Sequence, residues 1–257
     1  MTATLTSSQE YRDTVRAMLG AAPTAGVSPV WSFIVSSPAF DALVESFGPD
    51  GEPPTPVHLS QEIRVHRAPE PGEELTVDLK VLGARHESRG VRLALGCVVR
   101  SGTESLAELT TGVLLVGAVA PEPGGELPNP ATPPAGPAGT PAVVTVTLPR
   151  ELIARYAEVS GDLNPIHLDD DAAAAAGFPG VIAHGMSVLA LVTEAIVDRY
   201  ADGDPSRVKA LATRFSAPVS PDEPVQLKLQ PDESGTLVKF TVSTPRGIAL
   251  KAGWVQL

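Results

Sequence analysis

Apolar residues along the chain follow two periods. In residues 57–67, 73–87, 90–102 and 106–118 they recur at about every second position, as in a strand with one buried face. The same rhythm returns at 142–148, 207–219, 223–232, 236–244 and 247–257. A helical period marks "SQEYRDTVRAML" and "SPAFDALVESF" in the first half, the latter opening on a Ser-Pro pair that suits a cap and first turn. In the second half it marks "PRELIARYAEVS" and "GMSVLALVTEAIVDRYADG", and the last of these is so apolar that burial on all sides is expected. Each half reads as helices followed by strands, an α+β arrangement.

Between the halves, "APEPGGELPNPATPPAGPAGTPA" carries too much Pro and Gly for a helix or a central strand. The expected organisation is a first unit over residues 1–119, a linker over 120–142 and a second unit over 143–257. Sliding one half against the other by about 150 positions sets Arg64 on Arg214, Pro71 on Pro221 and Glu73 on Glu223, with Leu75, Val77 and Leu79 on Val225, Leu227 and Leu229. The chain therefore reads as two copies of one unit.

Composition narrows the classes. With 257 residues and 43% hydrophobic content there is enough apolar side chain for sizeable cores. A net charge of -11 argues against nucleic acid as a partner, and any anionic ligand must find local Arg or Lys. Arg64, Arg67, Arg85, Arg89, Lys209 and Arg214 are the candidates for such a basic cluster. No apolar run is long enough for a membrane span, and the start lacks the features of a signal peptide, so a cytoplasmic protein is expected. The single Cys97 sits in a strand-like run and suits a small buried core residue.

The chemistry concentrates in "SGDLNPIHLDDDAAAAAGFPGVIAHGM", residues 160–186. Turn formation explains Asp162 and Asn164 ahead of Pro165, and helix capping explains the Asp169 to Asp171 run, but neither explains His167 and His184. Two His and a carboxylate can ligate iron, yet a calcium loop fails at Ile166 and His167, and no zinc spacing is present. Ser160 and Ser187 lack a nucleophile elbow. A further reading is acid–base work: a turn at Pro165 brings Asp162 and His167 to one water or hydroxyl, and the N–H of Gly185 at a helix start can bind an oxyanion. No such set precedes the linker, where His58, His66 and His86 read as surface or interface residues.

Residues 156–186 resemble the hydratase 2 motif of MaoC-like R-specific enoyl-CoA hydratases and 3-hydroxyacyl-thioester dehydratases. Ser160, Gly161, Asp162, Asn164, Pro165, Ile166, His167, Asp169, Gly177, Ile182, His184, Gly185 and Met186 fall where that motif expects them. The resemblance implies a double hot-dog, two antiparallel sheets each wrapped round a helix, with Gly185 to about Tyr200 as the second helix and a first unit that has lost its catalytic residues. It implies Asp162 and His167 as the catalytic pair, Asn164, His184 and Ser160 in support, and the Gly185 N–H on the thioester oxygen. The implied reaction adds water to trans-2-enoyl thioesters, or removes it from (R)-3-hydroxyacyl thioesters, with no metal or organic cofactor. The substrate is carried on coenzyme A or phosphopantetheine, so acyl carrier protein is a candidate partner, as is a second copy of the chain. A hot-dog thioesterase using Glu194 on the central helix, or a silent acyl-binding subunit, is the alternative; Glu194 is expected to be exposed or capping.

Overall fold

A computed structural model describes residues 5–48, 54–129 and 136–257. In chain order the elements are α1 (Leu5–Leu19), α2 (Trp31–Glu45), β1 (Thr55–Val65), β2 (Leu75–Glu87), β3 (Gly90–Ser101), β4 (Glu104–Val116) and β5 (Gly124–Gly125). Then follow β6 (Ala142–Thr147), α3 (Arg150–Ser160), α4 (Asp170–Ala175), α5 (Gly185–Tyr200), β7 (Ala210–Phe215), β8 (Pro224–Pro231), β9 (Leu237–Thr244) and β10 (Gly247–Gln256). All ten strands form one antiparallel sheet in the order β5-β2-β3-β4-β1-β7-β10-β9-β8-β6.

The two halves of the sheet join at β1 and β7, where Ser60 pairs with Arg214 and Arg64 with Ala210. Residues 60 and 210, like 64 and 214, are 150 apart, so each pair is the other with its members exchanged. The sequence offset is thus the register of a pseudo-twofold axis passing between Glu62 and Ala212. Apolar alternation places Leu75 on β2, Val225, Leu227 and Leu229 on β8 and Val238, Phe240 and Val242 on β9 into one core with α5.

α5 is the hub of that core. Residues 186–197 are all buried, which explains why its sequence lacks a polar face. Each fully buried Leu, Ile or Val contributes roughly 1.5–3 kcal/mol, and Leu189, Leu191, Ile196 and Val197 have no exposed surface at all. α1 crosses from the first half to pack on α3 and α5.

α2 begins well before the expected Ser-Pro start and carries Pro38 in its interior. The missing N–H would leave the Ile34 carbonyl without a partner, and the Ser37 hydroxyl donates to it at 3.0 Å instead. Burial of Trp31 and Val35 draws the helix back to residue 31. Within the Pro-rich stretch, Gly124 and Gly125 pair with Ala84 and Gly83 on the outer edge of β2, a short strand that the sequence pattern does not reveal.

Candidate active site

The site is built on the segment between α3 and α5. Gly161 ends α3 in the left-handed region at φ 77°, a conformation that suits glycine. The Asp162 N–H then donates to the Ser160 hydroxyl at 3.2 Å, and the Asn164 N–H to the Asp162 carboxylate at 3.3 Å. Asn164 accepts from the Ile166 N–H at 3.3 Å and caps the single 3-10 turn Pro165–His167. That turn carries His167 inward, leaving it 8% exposed, while Asp162 stays at the surface.

The acidic run after it is structural. Asp169 caps α4 by accepting from the Ala172 N–H at 2.8 Å, and Asp170 accepts from the Val181 N–H at 2.9 Å and pairs with Arg150. The Ala183 N–H donates to the Val219 carbonyl at 2.8 Å, which seats His184 at the start of α5. Asp162, His167 and His184 thereby each bring a side-chain donor atom within 4.8 Å of the others'.

Hydrogen bonds settle both imidazole tautomers, because a backbone carbonyl can only accept. His167 donates from Nδ1 to the Ile182 carbonyl at 2.8 Å, and His184 donates from Nε2 to the Asp162 carbonyl at 3.0 Å. The lone pairs lie at His167 Nε2 and His184 Nδ1, and the latter is buried with no partner among the described residues. Burial lowers the pKa of His167, partly offset by the Ile182 carbonyl and the Asp162 charge. His184 is pushed down to about 4, first by burial and then by the charge His167 would carry. Both imidazoles are therefore neutral at pH 7.

The same three residues could be considered as metal ligands, but the rings oppose this. Their centroids are 3.7 Å apart at an interplanar angle of 30°, so the rings lie nearly face to face. Lone pairs lie in the ring planes, and two such planes do not converge on one ion at about 2.0–2.1 Å without reorienting.

Gly185 opens α5, so its N–H has no carbonyl within the helix to bond. The Phe215 ring covers it so closely that a Cβ would lie 2.9 Å from Phe215 Cδ1. His58, from the first unit, backs that ring at 4.4 Å and stacks on Phe33 at 5.5 Å. Burial pushes His58 down to about 4. His66 and His86 lie at the surface, on Glu108 and the Pro121 carbonyl. Below His184 lies Tyr156 at 4.9 Å between rings, with its hydroxyl 3.2 Å from that of Tyr11. Tyr11, Tyr156 and Phe215 escape sequence reasoning, since an aromatic residue in an apolar helix or strand pattern reads as core; His58, expected at the surface or an interface, lies between Phe33 of the first unit and Phe215 of the second.

Glu194 is neither exposed nor capping. It is fully buried in α5, with Oε1 2.9 Å from Arg12 Nε and Oε2 accepting from Arg12 and Arg16 at 3.0 and 3.1 Å. Both oxygens are held by guanidinium groups from α1, so this carboxylate is not available to activate water. The basic candidates do not form one cluster at the site: Arg64 pairs with Glu62, Arg67 with Glu73 and Glu104, and Arg85 with Glu87. Arg67 and Lys209 line a separate cavity.

A ten-stranded antiparallel sheet folded round a buried helix defines a double hot-dog fold. Residues 131–244 match the MaoC like domain family. The chain is 30% identical over 213 residues, 80% of its length and 71% of the other's, to 3-hydroxyacyl-thioester dehydratase Y of Mycobacterium tuberculosis. It belongs to the MaoC-like dehydratase family. A further 99-residue match, 38% of this chain, is 36% identical to peroxisomal multifunctional enzyme type 2 of Drosophila melanogaster. The chain spans 16% of that relative's length and a quarter or less of the next curated relatives it matches. A MaoC-like dehydratase from Phytophthora capsici superposes with a TM-score of 0.77 at 22% identity, over 99% of this chain and 93% of its own.

Proposed function

We propose that the protein reversibly hydrates trans-2-enoyl thioesters to (R)-3-hydroxyacyl thioesters, with Asp162 and His167 as the catalytic pair. The observation that carries this reading is the tautomer of His167: its Nδ1–H is committed to Ile182, which leaves Nε2 as the basic nitrogen of a ring that lies close to the Asp162 carboxylate. A water held between them adds its oxygen to C3. One of its protons passes to C2 by way of the pair, and the other remains on the new hydroxyl. Both new bonds form on the face the pair occupies, so addition is syn.

Charge develops on the thioester oxygen as C3 is attacked. The Gly185 N–H has no partner within α5 and can donate to that oxygen, and such a donor is worth about 3–4 kcal/mol in the transition state. His184 stays neutral when His167 is protonated, because a second charge at 3.7 Å is disfavoured. Its Nε2–H holds the Asp162 backbone, which makes it a positioning residue. Coenzyme A and an acyl carrier protein supply the same phosphopantetheine thioester to this site.

The test is to incubate the purified chain with enoyl thioesters of several lengths on both carriers and to resolve the product enantiomers. Formation of the R product supports the reading; release of free thiol without hydration would replace it by thioester hydrolysis.

A further inference from the structure

The pseudo-twofold axis that relates the units also relates the catalytic site to a second place in the molecule. At the 150-residue offset Val65 takes the position of Phe215 and Val208 that of His58, and α2 precedes β1 as α5 precedes β7. Tyr11 on α1 meets Tyr156 on α3 hydroxyl to hydroxyl. Tyr156 packs on His184 at 4.9 Å, and Tyr11 correspondingly packs on Trp31 at 5.5 Å. Trp31, the first residue of α2, thus takes the part of His184. Residues 20–30 join α1 to α2, less than half the length of the stretch 161–184 that joins α3 to α5 and carries Asp162 and His167.

That shortened connection does not fill the space. A cavity of about 290 Å³ lies at the first turn of α2, near the small end of the range for ligand sites. Its walls include Trp31, Val35, Val65, Val99 and Leu106, and its exposed rim includes Ser206 and Lys209. The Trp31 indole Nε1 is buried with no hydrogen-bond partner among the described residues, although a buried indole N–H ordinarily has one. Lys209 donates to the Ser206 carbonyl and has no carboxylate within ion-pair distance among the described residues. Trp31 and Val35 face this cavity, whereas Phe33, on the other side of the same turn, faces His58 and the catalytic site. Along β1, His58 and Val65 are roughly 23 Å apart at strand spacing.

We infer that this cavity is a second ligand site, at the pseudo-symmetric position of the catalytic one, which binds a medium-length aliphatic acyl chain without transforming it. The chain lies against Trp31, Val35 and Val99, and its polar end is at the rim by Lys209. None of Asp162, His167, His184 and Gly185 lines it, so it is distinct from room for the tail of a thioester bound at Asp162. A free fatty acid and the acyl chain of a thioester share this chemistry.

The experiment uses the full chain. Decanoate, decanol and decanoyl-CoA are each titrated by calorimetry and by Trp31 emission in Trp254→Phe, which leaves Trp31 as the sole indole. Saturable binding of decanoate is expected, weakened at least 5-fold by Lys209→Ala, with decanol weaker and indifferent to that change. Binding of decanoyl-CoA but not decanoate would assign the source as a thioester and support the site if crotonyl-CoA does not displace it and Val99→Phe abolishes it; decanoyl-CoA binding that crotonyl-CoA displaces belongs to the catalytic site and would overturn the inference. Val99→Phe should abolish binding and leave hydration of crotonyl-CoA unchanged. Should Val99→Phe fold poorly, Val65→Phe, which reproduces the Phe215 position, serves in its place. Absence of saturable binding, binding that survives both fillings, or competition between decanoate and crotonyl-CoA would overturn the inference. Saturable binding and its loss in the filled variants do not depend on whether crotonyl-CoA is hydrated, which tests the catalytic reading separately.

Discussion

A methyl group at position 185 would meet the Phe215 ring, and that ring has His58 behind it and Phe33 behind His58. The ring has no free direction of retreat, so Gly185→Ala must tilt the start of α5 and the N–H it presents. Steady-state kinetics should show kcat lowered about 10- to 100-fold, in line with a misplaced oxyanion donor. Phe215→Leu in the same chain should recover part of the loss; an unchanged kcat in Gly185→Ala would contradict the role of the N–H. The acid limb of the pH–rate profile follows from the same scale. Burial holds the His167 pKa below its usual 6.5, so kcat/KM should stay level down through pH 6.5 and fall only at lower pH. Stability carries the matching sign. His58 and His184 are held near 4 when folded and return to about 6.5 when unfolded, so the unfolded chain binds more protons between these values. The thermal midpoint should be highest above pH 6.5 and decline as pH falls toward 4, less steeply in His58→Phe, where one titrating ring is removed.

Among the elements, α1 and α5 are joined by the Arg12, Arg16, Glu194 and Asp198 cluster. Removing one partner leaves the others buried and unmatched, at a cost of about 3–5 kcal/mol. Glu194→Gln should therefore lower stability in chemical denaturation by that order while keeping hydration per folded molecule near wild type. A loss of hydration without a loss of stability would instead place Glu194 in the chemistry. The cluster also shows where sequence reading stops. A single acid in an apolar helix reads as exposed or capping because its partners, Arg12 and Arg16, lie about 180 residues away in α1. Pro38 is misleading for a similar reason: Ser-Pro is an ordinary helix start, and only the Ser37 hydroxyl on the Ile34 carbonyl lets α2 continue through it. By contrast, α5 was legible as a buried helix, since its apolar character on every side is the direct consequence of burial in the sheet, while its end near Tyr200 came from the family resemblance. The turn of Asp162 and His167 was legible as a juxtaposition, because Pro165 forbids a continuous helix there. What lies beneath it was not, since the supports come from Tyr156, Phe215 and His58 on three other elements.

For the whole molecule, the offset of about 150 residues visible in the sequence is the register across β1 and β7, so the repeat and the pseudo-twofold axis are one fact. The units share their largest core, with Tyr11, Trp31 and Ile63 of the first half in the same cluster as Leu189, Leu211 and Val255 of the second. Separate expression of residues 1–119 and 143–257 should therefore give chains that aggregate or self-associate, each exposing a strand edge at β1 or β7. Mixing them during refolding should restore a soluble pair, and size-exclusion chromatography would report it; two soluble, monomeric halves would contradict the shared core. No helix of the described residues is long and apolar enough to cross a membrane.

The central claim is that Asp162 and His167 act as one unit on one water. The most direct measurement is the rate of hydration of a trans-2-enoyl thioester by Asp162→Asn, His167→Ala and the double variant, each with its thermal midpoint recorded beside the wild type. Each single change should lower turnover about 100-fold or more, and the double change should add little beyond either. A wild-type rate in Asp162→Asn at an unchanged thermal midpoint would contradict it.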